Sequence, residues 1–199
     1  MMKKNILILL TALSLNFLFS CATPLNVADG ITAISADDYQ MLVQKKSERL
    51  EVYNGLYNQM TVSATRMDAE MSQAYLSHSA RLSQWTVVKY QDEKNKVVSR
   101  GTENTEYFIS LYTPERKHND LSSSKSIWKI LLDVNGQRYE GKAVKIKSQL
   151  SEVEAMYPAH NRWSNAYMVS FPVASALTDG KSSVLTLTGP VTAAQLTFK

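Results

Sequence analysis

Cysteine is almost absent: the chain of 199 residues has one, Cys21. A lone thiol excludes an internal disulfide framework and any zinc site built on several cysteines. Histidine is scarce as well, at three residues (His78, His118 and His160). No two of them stand four apart around a glutamate, the spacing of a helical zinc site. The seven glycines and five prolines are too few for a collagen-like or low-complexity chain. They form neither a phosphate-binding loop nor the Gly-x-Ser-x-Gly turn of a serine hydrolase. No apolar run reaches the ~20 residues of a spanning helix. An excess of one charge is missing too, with 22 basic and 18 acidic residues and a net +4. Without a concentrated basic face, nucleic acid is not an expected partner. What remains is a composition 44% hydrophobic, which is globular and large enough to bury a core without staples.

Information is concentrated at the start. Lys3 and Lys4 precede an apolar run from Ile6 to Phe19, about 14 residues, the length of a signal peptide's apolar region. Leu18-Phe19-Ser20 then leads directly into Cys21. This resembles the lipobox of bacterial lipoprotein precursors, in which an aliphatic residue, two further residues (the second small) and a cysteine define the site. Leu18, Ser20 and Cys21 match the pattern, and Phe19 is bulkier than its usual second residue. The resemblance implies cleavage between Ser20 and Cys21, with diacylglycerol on the thiol and an acyl chain on the freed amino group. No other cofactor is implied. Two or three chains on one residue anchor firmly, since each buried methylene contributes ~0.8 kcal/mol. Ala22 stands where Asp would favour inner-membrane retention in the enterobacterial pattern. The resemblance therefore implies the outer membrane, facing periplasm or surface.

Residues 1–20 are thus read as a signal peptide and 21–35, small and polar with Pro24 and Gly30, as a lipid-anchored tether. Ser35 and Asp38 form a capping pair that opens a helix over about 36–56, with Tyr39, Leu42, Val43, Leu50, Tyr53 and Tyr57 at helical spacing. Lys46 is the one charge on that stripe. Met60, Val62 and Ala64 alternate with polar residues, which leaves 58–66 open between strand and helix. Asp68 caps a second helix carrying Met71, Tyr75, Leu82 and Trp85 towards Val98, with Arg100-Gly101 as its stop. The aromatic residues of both helices are read as core-facing.

After residue 102 the period changes to two. Strands are predicted around Tyr107–Leu111, Trp128–Val134, Tyr139–Ile146, Tyr167–Phe171, Val184–Leu187 and Leu196–Phe198. Asn135-Gly136 forms a hairpin turn between the second and third. The expected fold is α+β: a helical region over 36–102, then an antiparallel β-sandwich over 103–199, immunoglobulin-like in general architecture. Two loops bear chemistry. Glu115–Asp120 is densely charged and is read as a solvated connection. Within 156–167, Tyr157, His160, Arg162 and Trp163 combine aromatic faces with hydrogen-bonding groups, as a glycan platform does. The plainer reading has Tyr157 and Trp163 plugging the end of the core.

The leading functional expectation is a lipid-anchored envelope lipoprotein with no enzymatic site, binding another envelope protein or supporting an assembly. The alternative is a glycan- or peptidoglycan-binding module using the 156–167 segment. Last comes a hydrolase whose site the fold assembles.

Overall fold

The computed structural model describes residues 27–199. The cleavage site at Ser20 and Cys21, and Ala22, lie outside the described residues. The chain order is α1 (Ala36–Lys45), β1 (Ser47–Asn54), β2 (Tyr57–Arg66), α2 (Ala69–Leu82), α3 (Val87–Glu103) and β3 (Thr105–Tyr112). There follow β4 (Lys129–Val134), β5 (Gln137–Glu140), β6 (Lys142–Lys145), α4 (Leu150–Met156), β7 (Asn165–Phe171), α5 (Ser175–Thr178), β8 (Ser183–Thr188) and β9 (Ala193–Phe198). This is a mixed α+β fold with two antiparallel sheets. The first has the order β1-β2-β3-β7-β6 and the second β5-β4-β8-β9.

Alternation decides which side chains meet. Val62, Ile109, Val169 and Phe171 of the first sheet share one core with Leu132, Leu185, Leu196 and Phe198 of the second. Residues between them in sequence, such as Phe108 and Ala166, point to the opposite face of the first sheet. There they pack under Tyr39 of α1, Met71 of α2, and Val153 and Tyr157 at α4.

Capping chemistry sets the helix starts. Ser35 Oγ accepts the Asp38 N–H at 3.0 Å, and Asp68 does the same for Met71 at 2.9 Å. Lys46 ends α1 and reaches the start of α2, its Nζ 2.6 Å from Asp68 and 2.7 Å from Glu70.

Several expectations need correction. The helix expected over 36–56 stops at Lys45, and Ser47–Asn54 is an edge strand paired with β2. The apolar spacing at Leu50, Tyr53 and Tyr57 is coincidental. Leu50 and Val52 pack on the core between the sheets, whereas Tyr53 and Tyr57 are exposed. Ladder pairing with a buried neighbour outweighs a weak helical preference. Residues 58–66 are strand, so the helical region expected over 36–102 supplies two of the five strands in the first sheet. The helix expected from 68 to 98 is two helices. Gln84 at φ 48° breaks it, and Thr86 caps the next. That next helix passes through the expected stop at Gly101 to reach Glu103. Helices α4 and α5 lie within the segment expected to be purely β.

The strand expected from Tyr139 to Ile146 divides at Gly141: β5 pairs with β4 of the second sheet, while β6 pairs with β7 of the first. A Cβ at Gly141 would stand 2.6 Å from Phe171 Cε1 and 2.8 Å from Val169 Cγ1. Only glycine lets the backbone turn that corner against the core. The far part of the expected tether is also seated, since Ile31 is buried against Leu76, Ala80 and Tyr90.

Candidate functional site

Two consecutive turns shape the segment after α4. His160 N–H donates to the Tyr157 carbonyl at 2.9 Å, and Ser164 N–H to the Asn161 carbonyl at 3.1 Å. The first turn tucks its ends under the sheet, and the second projects outward. The four residues singled out from sequence are therefore divided. Tyr157 is buried, stacked on Phe108 with centroids 3.5 Å apart, and burial pushes its phenol well above the usual range. It plugs the core. His160 is buried beside it, whereas Arg162 and Trp163 are exposed. Arg162 and His160 border one hollow and Trp163 another.

His160 makes the one contact here that resembles catalytic geometry, with Nδ1 2.8 Å from Ser110 Oγ. A nucleophile needs such a base, but it also needs access and a group that orients the base. Ser110 is only 3% exposed. Burial lowers the His160 pKa, against the pull of the Glu154 charge. The pair satisfies buried polar groups between the sheet and the turn. The charged loop at 115–120 is likewise structural. Its His118 carbonyl accepts from Trp128 Nε1 at 2.6 Å, and its Asn119 carbonyl accepts from the Tyr167 hydroxyl at 3.2 Å.

Trp163 opens a different region. Its indole is 70% exposed and stands on the turn that Asn161 fixes by accepting the Trp163 N–H at 2.9 Å. It borders a hollow of about 390 Å³ with Arg49, Thr61, Tyr112 and Asn161, on the part of the first sheet that the helices leave uncovered. A second hollow, about 470 Å³, shares Arg49 and continues past Ser63 towards Pro158 and the end of α1. The two share the Arg49 side chain as a common wall, and the pair is the trough of the first sheet. Along β1, Arg49, Glu51 and Tyr53 face the same side: Arg49 Nη2 is 2.7 Å from Glu51, whose carboxylate also accepts from the Tyr53 hydroxyl at 2.9 Å. These two bonds hold the Glu51 carboxyl below its ordinary range, with Arg49 the larger influence.

Sequence reasoning missed Arg49, Thr61 and Tyr112. Arg49 falls inside the expected helix, and Thr61 is one of the polar residues in the segment left open between strand and helix. A larger hollow of about 620 Å³ lies between α2, α3 and α5, lined mainly by apolar groups such as Leu76 and Val97. Among the described residues, no cluster of three or more His, Cys, Asp or Glu could hold a metal ion. None of their helices is long and apolar enough to cross a membrane. Comparisons with protein-family models, curated proteins and solved structures find no match to this chain.

Proposed function

We propose that this chain is a lipid-anchored bacterial envelope lipoprotein whose folded part is a non-catalytic binding component. The observation that carries this reading is Leu18-Phe19-Ser20-Cys21 at the end of a short apolar run. The surroundings of the buried polar groups support the second half of it. Ser110 and His160 bond each other, and Tyr107 bonds Ser183 at 2.9 Å. The polar side chains lining the trough, Arg49, Thr61 and Asn161, bond Glu51, Asn58 and the Trp163 N–H and keep further donor or acceptor capacity for a ligand. The shared core of the two sheets supports a sandwich architecture, with the immunoglobulin-like plan its general form.

Metabolic labelling of the full chain with a palmitate analogue tests the anchor. The wild-type chain is expected to take up label and sediment with the envelope, and Cys21→Ser to lose both. Equal labelling of the two proteins would sink the reading.

A further inference from the structure

We propose that the trough on the first sheet binds a neutral saccharide chain, the glycan strand of the cell wall, with Trp163 and Tyr112 as its platforms. This rests on the envelope reading above and gives that binding component its ligand.

Three observations converge. Trp163 exposes most of a large apolar ring on a turn pinned by Asn161, while half-buried Tyr112 lines the same hollow. Sugar rings present flat C–H faces that pack on such aromatic surfaces, and their hydroxyls need fixed donors and acceptors at the edges. Arg49, Thr61 and Asn161 stand at those edges, each fixed by an internal bond, to Glu51, from Asn58 and from the Trp163 N–H, and each with donors left over.

Charge narrows the ligand class. The Arg49 guanidinium is already paired with Glu51 at 2.7 Å, and Glu48 lines the second hollow. A polyanion requires unpaired cations. This trough has a cancelled pair and an added carboxylate, so it disfavours a polyanion and leaves recognition to its aromatic faces and hydrogen-bonding groups, which suit a hydroxyl-rich ligand.

Length narrows it further. The two hollows, about 390 and 470 Å³, meet at Arg49. In the proposed pose, a ligand lying against Trp163 extends past the Arg49 side chain towards Pro158, a reach that suits an extended polymer better than a compact one.

The test uses the full lipidated chain in mild detergent, mixed with purified peptidoglycan sacculi and sedimented. The wild type should be retained and should be released by a soluble tetrasaccharide of β-1,4-linked N-acetylglucosamine. Trp163→Ala is expected to weaken retention about tenfold, the scale of one lost aromatic platform. Arg49→Ala should weaken it several-fold. Lys129→Ala, on the second sheet's outward face, should leave it unchanged. Unaltered thermal midpoints would show that the exposed substitutions leave the fold intact. Absence of wild-type retention overturns the proposal, as does equal retention of wild type, Trp163→Ala and Tyr112→Ala. Palmitate labelling of the same samples separates the two readings: a labelled chain that is not retained sinks the saccharide site alone, and a retained chain without label sinks the anchor alone.

Discussion

His78 lies flat against Tyr39, with ring centroids 4.0 Å apart and planes 4° from parallel. The stack joins α2 to α1, and other bonds extend it. Nδ1 accepts from Arg81 Nη2 at 3.0 Å, which leaves the other ring nitrogen as the donor to the Ala155 carbonyl of α4. One neutral imidazole thus connects three helices above the first sheet.

That neutrality makes stability depend on pH. Burial, and then the Arg81 charge, lower the His78 pKa from 6.5 to about 4, with the Ala155 bond opposing them. Between these values the unfolded chain binds the proton and the folded chain does not. The contribution is therefore complete above about pH 6.5 and is lost as pH falls towards 4, on the order of 2–3 kcal/mol. His160 acts in the same direction. Urea midpoints at pH 7 and pH 4.5 should separate strongly for the wild type. They should separate less for His78→Phe, which keeps the flat ring and cannot titrate. An equal separation in both proteins would show that His78 is not the titrating group.

Arg66 offers a different measurement. It is 3% exposed, and its two terminal nitrogens donate to the Lys181 and Thr178 carbonyls. The fork clips the segment between β7 and β8 to the end of β2. Lysine has a single ammonium and cannot span both acceptors in that geometry. Arg66→Lys should therefore cost about 2–3 kcal/mol, since it strands a buried carbonyl. In a domain of this size that lowers the melting midpoint by about 5–10 °C. A calorimetric shift below about 2 °C would show that the clip adds little.

Tyr157 was a candidate for binding and is expected to behave as core. Tyr157→Ala removes a ring stacked at 3.5 Å on Phe108 and should cost about 3–5 kcal/mol. Tyr157→Phe loses only a weak contact from its hydroxyl to Met67 Sδ at 3.6 Å, so it should change stability by less than about 1 kcal/mol. Chemical denaturation of the two variants checks this. Equal losses would mean that the hydroxyl, not the ring, holds the site.

Local signals with a physical cause were legible. Asn135 and Gly136 take φ of 52° and 76° between β4 and β5, as their hairpin chemistry required. Ser35 and Asp68 cap the helices they were expected to open. The failures have causes of the same kind. Asn54-Gly55 repeats the dipeptide used at 135–136, and Gly55 at φ 61° heads the turn into β2. It was masked because an edge strand buries few side chains, leaving β1 with a weak period-two pattern. The break at Gln84 was hidden because Leu82 and Trp85 continue the helical spacing across it. The site was half legible for a related reason: Trp163 could be named from its own loop, but Arg49, Thr61 and Tyr112 converge only through the β1-β2-β3 pairing.

The burial of Ile31 among Leu76, Ala80 and Tyr90 would set the mechanics of the proposed attachment. Val27 packs against the same cluster, so with lipid on Cys21, as proposed, the chain between the anchor and the seated residues would span at most ~22 Å. The seated end lies at the α2–α3 corner, so under that proposal this corner would be the part of the body held nearest the bilayer. A longer linker would let every face of the molecule meet the bilayer in turn. The short proposed tether would instead leave a shallow dome of accessible positions, in which a stationary polymer would be met repeatedly by the same molecule.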